Sequence, residues 1–385
     1  MVAGTDNYCA FIIGVFNFLY PILASSAFYL YFILNSQKMN NYAIILAGGI
    51  GSRFWPLSRT NEPKQFLNIC SKKPMLEETV RRIGFLVKRD NIYIATNKIY
   101  HKKIKNYLKK LNIHPRNILF EPETRNTFAP LGLLSKNIYN KDKEAVILVF
   151  PSDHYIKDKN RFSKILDKAI YLAKRGYIVT LGITPTRPET AYGYIKVKSK
   201  LKILKSKAYI VDRFIEKPTF TKAKKLIKDK KFYWNAGIFI FRADTMLQEL
   251  KKFAPDDYDV INKIKDEKSL NRLWPRITST SIDYAVMEKT DKMVLLPIDF
   301  GWIDLGSWQA IEEIIRKDKN GNIFKGNFID IGSKNTTVWA DNRLVATLGL
   351  NNTIIVNTKV ALLVCSKDRI QDVKKIVWKL KQKNL

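Results

Sequence analysis

The chain has 385 residues, of which 46% are hydrophobic, 26% charged and 12% aromatic; this excludes disordered and fibrous classes and leaves room for two or three domains. Its three cysteines (Cys9, Cys70, Cys365) lie far apart and its three histidines are His101, His114 and His154, so a disulfide framework and a His- or Cys-built zinc centre are not expected, and a reducing compartment is. The formal charge of +32 raises nucleic acid or an anionic membrane as partner, but the lysines fall in scattered clusters (102–110, 222–231, 374–383) with an apolar stripe at helical spacing. They read as solvated helix faces, and no nucleic-acid partner is expected.

From Tyr8 to Leu34 no residue is charged, a stretch long enough to span a bilayer. It lacks a basic n-region, so it is a poor secretory signal. Two readings of this 1–38 leader stand side by side. It is a membrane segment, with the basic remainder on the cytoplasmic side, or it is an overextended start preceding a natural Met39. Both place the rest of the chain in the cytoplasm, with a membrane as partner only under the first.

Tyr42–Ala47 is a short apolar run ending in Gly48-Gly49, the mark of a buried strand feeding a glycine turn. Similar runs at Asn91–Ala95, Ala145–Phe150 and Tyr177–Leu181 alternate with helical spacing at Met75–Val87, His101–Leu111 and Arg161–Lys174. Such alternation predicts an α/β fold: a Rossmann-like, mainly parallel sheet with helices on both faces. Ligands of such sheets sit at the carboxyl ends of strands, and each candidate motif here directly follows an apolar run. Beyond about residue 315, glycines 321, 326 and 332 punctuate short β-rich pieces (Asn327–Ile331, Thr336–Ala340, Thr353–Val356, Ala361–Val364) before an amphipathic helix at Arg369–Lys381. The expected organisation is a catalytic domain at 39–315 and a small β-rich domain at 316–385.

Chemistry concentrates in a few strings. Gly48, Gly49 and Gly51 let the main chain approach a phosphate without a Cβ in the way. Arg53 and Lys64 can then balance a polyphosphate, one as a planar fork and one as a point charge. No Gly-Lys-Ser/Thr follows, so this is not a P-loop, and Arg53 stands where a dinucleotide fingerprint places a glycine. Phe150-Pro-Ser-Asp-His154 sets a carboxylate at a strand end, suited to a hard cation or to a plain turn. Tyr192-Gly-Tyr194, Phe214-Ile-Glu-Lys-Pro218 and Trp234-Asn-Ala-Gly237 offer a close-approach glycine, an adjacent carboxylate and ammonium, and an amide before an apolar strand.

The string from Leu46 to Arg59 with Pro63-Lys-Gln-Phe66 resembles the signature of sugar-phosphate nucleotidyltransferases, and its Pro56-Leu-Ser-Arg59 resembles their mannose-1-phosphate guanylyltransferase branch. The Ser281–Lys289 and Gly301–Trp308 segments are similar to the same pattern. The resemblance implies GMP transfer from GTP to mannose 1-phosphate with Mg²⁺ as cofactor. It gives Leu46, Ala47, Gly48, Gly49, Gly51, Ser52 and Arg53, with Asn126 and Thr127, to the nucleotide. Gly193, Glu216, Lys217 and Asn235 go to the sugar phosphate, and Asp153 and Asp304 to the metal; Arg53, Lys64, Asp153 and Lys217 carry the chemistry. One departure is Phe128, an extra residue inside the Arg125-Asn-Thr…Ala-Pro130 segment. The tryptophans read as core or wall. Transfer to another hexose 1-phosphate such as glucose 1-phosphate, and a non-catalytic nucleotide-sugar sensor, remain as alternatives; a homo-oligomer is left open. No histidine follows His154, so the histidine-ligated isomerase domain that some relatives append is not expected here.

Overall fold

The computed structural model describes residues 41–203 and 207–383, and the leader expected at 1–38 lies outside them. Among the described residues no helix is long and apolar enough to cross a membrane. The chain order of strands in the first part is β1 (Asn41–Leu46), β2 (Ile92–Asn97), β3 (Ile118–Glu121), β4 (Val146–Pro151), β5 (His154–Ile156), β6 (Ile178–Ile183), β7 (Tyr194–Lys200), β8 (Tyr209–Ile215), β9 (Phe232–Arg242), β10 (Met293–Ile298) and β11 (Trp302–Asp304).

Nine of these form one sheet in the order β3-β2-β1-β4-β9-β6-β10-β8-β7, with β7 also pairing back onto β9. Parallel pairing holds across β3-β2-β1-β4 and between β6 and β10. Helices Met75–Arg82, His101–Leu111 and Phe128–Lys141 make the connections in the first half. Covered on both faces, these strands are apolar along their length: Tyr42, Ala43, Ile44 and Ile45 are at most 1% exposed. Strands β7, β8 and β9 run antiparallel to their neighbours, so the second half of the sheet is mixed. The helix expected through Val87 stops at Arg82, where Ile83 and Gly84 leave the helical path.

The long β9 changes partners along its length. Its first residues pair with β7 and its last with β4, and Gly237, at φ +65°, sits between the two. A left-handed residue inside a strand suits glycine, which has no Cβ to clash.

The C-terminal part holds β12 (Ile323–Lys325), β13 (Phe328–Ile331), β14 (Thr337–Ala340), β15 (Val345–Leu348), β16 (Thr353–Asn357) and β17 (Leu362–Ser366). Parallel ladders β12-β14-β16 and β13-β15 stack coil upon coil, and β17 closes the first ladder antiparallel. The corner after β12 needs Gly326, at φ +95°, because a Cβ there would lie 1.7 Å from the Ala340 carbonyl oxygen. The final helix runs Val373–Gln382 after a 3-10 turn at Lys367–Asp372. One apolar cluster joins Phe54, Met75, Leu305 and Trp308 to Trp339, Ile354, Val356 and Val373, so the coils share a core with the glycine-turn region.

Candidate active site

At the end of β1 the chain is pinned before it turns. The Ala47 amide donates to Ala95 O (2.8 Å), and Ala47 O accepts from the buried Gln65 Nε2 (2.7 Å) and Thr96 Oγ1 (3.0 Å). The loop that follows reaches Gly51, at φ +76°, whose added Cβ would lie 2.7 Å from the Lys64 side chain. Ser58 Oγ donates to Gly51 O, and Lys64 N donates to Ile50 O (3.3 Å). The glycine loop and the Pro63–Phe66 segment are therefore packed as one unit, which brings Lys64 to the strand ends. A cavity of about 920 Å³ lies along the loop, lined by Gly48, Gly49, Gly51 and Ser52 with Arg59 and Thr124.

Two short strands build the acidic centre. The antiparallel pair β5–β11 sets Asp304 opposite His154, and Leu305 N donates to Asp153 O (3.1 Å). Ligand atoms of Asp153, His154 and Asp304 all lie within 4.8 Å of one another. Arg82 Nη1 donates to His154 O (2.8 Å) and Thr79 Oγ1 to Ser152 O (3.2 Å), fixing the segment after β4 from below. Lys64 Nζ forms an ion pair with Asp153.

The electrostatics follow from burial and crowding. Burial and the neighbouring Asp153 push the Asp304 carboxyl up to about 6. Burial would raise Asp153 too, but the attraction of Lys64 and His154 outweighs it and holds its carboxyl below the usual range. Burial would lower Lys64, but Asp153 and Asp304 outweigh it and raise the ammonium's pKa. Burial brings His154 down to about 4, and its Nδ1 accepts from Trp302 Nε1 (3.2 Å), so near pH 7 the neutral ring carries its proton on Nε2.

The donor set is the two carboxylates of Asp153 and Asp304, because both His154 ring nitrogens are taken, one by Trp302 and the other by the ring proton. Two carboxylates this close, one raised by burial and by the other, fit a hard divalent cation that also takes phosphate oxygens. Beside them Arg53, whose buried Nε has no hydrogen-bond partner among the described residues, lines a recess with Asp304, Arg187, Glu189 and Tyr192.

On the other side of Asp304 opens a cleft of about 170 Å³. Gly193, Glu216, Asn235 and Asp283 line it, with Leu46 and Thr127. Gly193 is required by a close approach, because a Cβ there would lie 2.5 Å from Glu216 Oε2. Asn235 Oδ1 accepts from Thr180 Oγ1 and from Gly237 N, both at 3.0 Å, which fixes its amide orientation and aims Nδ2 toward Asp283 (3.4 Å). Lys217, in the left-handed region at φ 45°, donates from Nζ to Glu216 Oε1 (2.7 Å).

Lys64, Asp153 and Asp304 thus come together, with Arg53 and the glycine loop on one side and Gly193, Glu216, Lys217 and Asn235 on the other. Asn126 and Thr127 stand differently. Asn126 Oδ1 accepts from the Thr127 amide (3.0 Å), Thr127 Oγ1 accepts from Ile282 N (3.0 Å), and Thr127 lines the cleft at Glu216 rather than the glycine-loop cavity. Phe128, the extra residue, is fully buried at the start of its helix, so the core absorbs it. Reading the sequence assigned no role to Asp283, Arg187 or Glu189; the only signal for Asp283 was its place in the Ser281–Lys289 string. Trp302 belongs to the cleft wall and holds His154.

A glycine turn for phosphates, a lysine–dicarboxylate centre and a polar cleft on one edge of an α/β sheet define a phosphate-handling enzyme. A family model described as "Nucleotidyl transferase" matches residues 42–321, and one described as "MannoseP isomerase/GMP-like beta-helix domain" matches 326–380. A mannose-1-phosphate guanylyltransferase from Salmonella muenchen is 38% identical over 353 residues, covering 89% of this chain and 73% of the relative. The alginate biosynthesis protein AlgA of Pseudomonas syringae pv. tomato is 36% identical, covering 88% and 71%. Among solved structures, a mannose-1-phosphate geranyltransferase from Thermus thermophilus superposes with a TM-score of 0.82 at 32% identity, covering 89% of this chain and all of that one. The chain belongs to the nucleotidyl transferase family, in the group of the mannose-1-phosphate guanylyltransferases.

Proposed function

We infer that the protein transfers GMP from GTP to mannose 1-phosphate, giving GDP-mannose and pyrophosphate. The observation that carries this reading is the placement of Asp304: it borders the Arg53 recess on one side and the Glu216–Asn235 cleft on the other, with Lys64 and Asp153 against it. A charge-neutralising centre between a phosphate loop and a polyol cleft suits a reaction at a phosphorus joining the two. The relatives' names supply the nucleotide and the sugar.

A phosphate oxygen of mannose 1-phosphate attacks the α-phosphorus of GTP, and the bond from that phosphorus to the bridging oxygen of pyrophosphate breaks on the opposite side. The attacking phosphate is already ionised near pH 7, so no protein base has to take a proton. The chain's contribution is positioning and fixed positive charge. Amides of Gly48, Gly49, Gly51 and Ser52 line the phosphate path, whereas Leu46 and Thr127 border the Glu216–Asn235 cleft. Arg53 and Lys64 face the leaving pyrophosphate. Lys217 takes the phosphate of mannose 1-phosphate, while Gly193, Glu216 and Asn235 take the sugar hydroxyls. Asp153 and Asp304 would hold Mg²⁺, which supplies charge neutralisation at the phosphates. The nucleotide-sugar product is an activated mannosyl donor, in keeping with the alginate-biosynthesis name of one relative.

The test is pyrophosphate release from purified protein with GTP, Mg²⁺ and either mannose or glucose 1-phosphate. Release that needs mannose 1-phosphate and fails with UTP or dTTP is expected. Equal rates with glucose 1-phosphate would remove the sugar assignment, and no release from folded protein would remove the reaction.

A further inference from the structure

Asp283 is a carboxylate held in the sugar-side cleft by contacts from three directions. Its neighbour Ile282 donates its amide to Thr127 Oγ1 (3.0 Å), which ties the segment to the start of helix Phe128–Lys141. At the other end of the same turn, Glu288 Oε1 accepts from Glu216 N (3.0 Å), which ties it to the segment after β8. Asp283 Oδ1 itself faces Asn235 Nδ2 at 3.4 Å, a long contact, and the carboxylate is steadied by the Ser281 side chain and its own backbone amide. The turn Asp283–Met287 is a π-helix, a wide turn that recurs at functional sites. Ala285, Val286 and Met287 anchor it in the core while Asp283 stays half-buried and lines the cleft.

Its surroundings suit a ring of hydroxyl groups. Glu216 approaches from the neighbouring segment, held close by the missing Cβ of Gly193. The Asn235 amide stands beside Asp283, oriented by Thr180 and Gly237. A carboxylate, an amide and a second carboxylate around one small cleft offer acceptors and a donor in fixed positions. Vicinal hydroxyls need that arrangement, because each hydroxyl both donates and accepts. Burial and the nearness of Glu216 push the Asp283 carboxyl up to about 7, so near neutral pH it can donate a hydrogen bond as well as accept one.

We propose that Asp283 is a sugar-binding, specificity-determining residue of this enzyme, its carboxyl hydrogen-bonding one ring hydroxyl of the hexose 1-phosphate alongside Glu216 and Asn235. The proposal rests on the reading of the cleft as the hexose site.

The test compares wild type, Asp283→Ala and the near-isosteric Asp283→Asn with mannose 1-phosphate and its 2-, 3-, 4- and 6-deoxy analogues, reading pyrophosphate release with GTP. Wild-type release dependent on mannose 1-phosphate checks the underlying reaction first; its absence sinks that reading and not the role of Asp283 alone. Given that activity, Asp283→Ala should lower kcat/KM for mannose 1-phosphate about 10- to 100-fold, the range for one hydrogen bond to a charged group. KM for GTP should stay within about twofold. One deoxy sugar that wild type discriminates against should lose that discrimination in Asp283→Ala, while the other three keep theirs. A residue that only supports the fold would depress all five sugars alike. If every analogue keeps its wild-type penalty in both variants, and melting temperatures show both are folded, Asp283 does not touch the sugar.

Discussion

At Lys64 the ammonium pairs with the half-buried Asp153 carboxylate and is attracted by that of Asp304 as well. Lys64→Ala should lower kcat roughly 10²–10³-fold, the scale for losing one preorganised transition-state contact. Single-turnover pyrophosphate release would measure it, with KM for mannose 1-phosphate little changed; near-normal turnover would remove Lys64 from the chemistry. A second residue-scale test concerns Glu121, at the end of β3, whose carboxyl lies where a Cβ on Gly48 would come within 3.2 Å. Burial pushes it up to about 7. A carboxyl raised in the folded state releases its proton more readily on unfolding. The fold therefore loses stability as pH climbs from about 4, the unfolded pKa, to about 7, and the loss is constant above that. Glu121→Gln removes this penalty. Its melting temperature should exceed wild type at pH 8, by a margin worth a few kcal/mol on the order of two to three pK units, and the advantage should vanish near pH 4. A pH-independent difference would mean that the carboxyl is not titrating in the folded state.

The elements that matter most here are the least regular. Strands β1, β2, β4 and β6 were legible because a buried parallel strand is an unbroken apolar run, and β13, β14, β16 and β17 were legible as short β-rich pieces in a glycine-punctuated stretch, whereas the short β12 and β15 were not. The ladder β5–β11 was not, because strands of three residues carry no periodicity, yet it is what places Asp304 beside Asp153. The kink of β9 at Gly237 was also hidden, since a glycine within a strand pattern has several readings. The resemblance divides the motif residues between nucleotide and sugar phosphate, and the structure sets the Arg53 recess and the Glu216–Asn235 cleft on either side of Asp304. Thr127 shows the difference, because its hydroxyl serves the turn at Ile282 and its side chain lines the sugar-side cleft. Gly193 tests the element-level packing: Gly193→Ala puts a methyl 2.5 Å from Glu216 Oε2 and 3.1 Å from the Phe214 ring, so the Glu216 carboxylate must swing out of its place in the cleft. KM for mannose 1-phosphate should rise at least about tenfold, as a displaced hydrogen bond to a charged group implies, with KM for GTP unchanged. Equal rises for both substrates would show that the two sides of the site are not separable.

Over the described residues, the C-terminal part meets the glycine loop directly, through Val360, Ala361, Val377 and Leu380 in the cavity wall, and indirectly, through packing. Trp339 on β14 meets Trp308 edge to face at 5.4 Å, and Trp308 meets Phe54 in the same manner at 5.6 Å. Phe54 is fully buried and adjoins Arg53 in the 3-10 turn Ser52–Phe54. The turn that presents Arg53 is thus braced by a row of three aromatic rings whose last member belongs to the coils. Interiors are packed like crystals, so removing the end of such a row lets the remainder relax toward the gap. Trp339→Ala should cost about 3–5 kcal/mol, the range for truncating a large buried aromatic side chain. Because the row ends at the phosphate loop, the same change should raise KM for GTP more than KM for mannose 1-phosphate. Trp378→Ala is the control: the residue is 60% exposed on the final helix, and neither stability nor KM should move by more than experimental error. A large drop in melting temperature for Trp339→Ala with KM for GTP intact would mean that the coils stabilise the catalytic part without shaping the loop. Loss of both together would make the C-terminal coils part of the phosphate site.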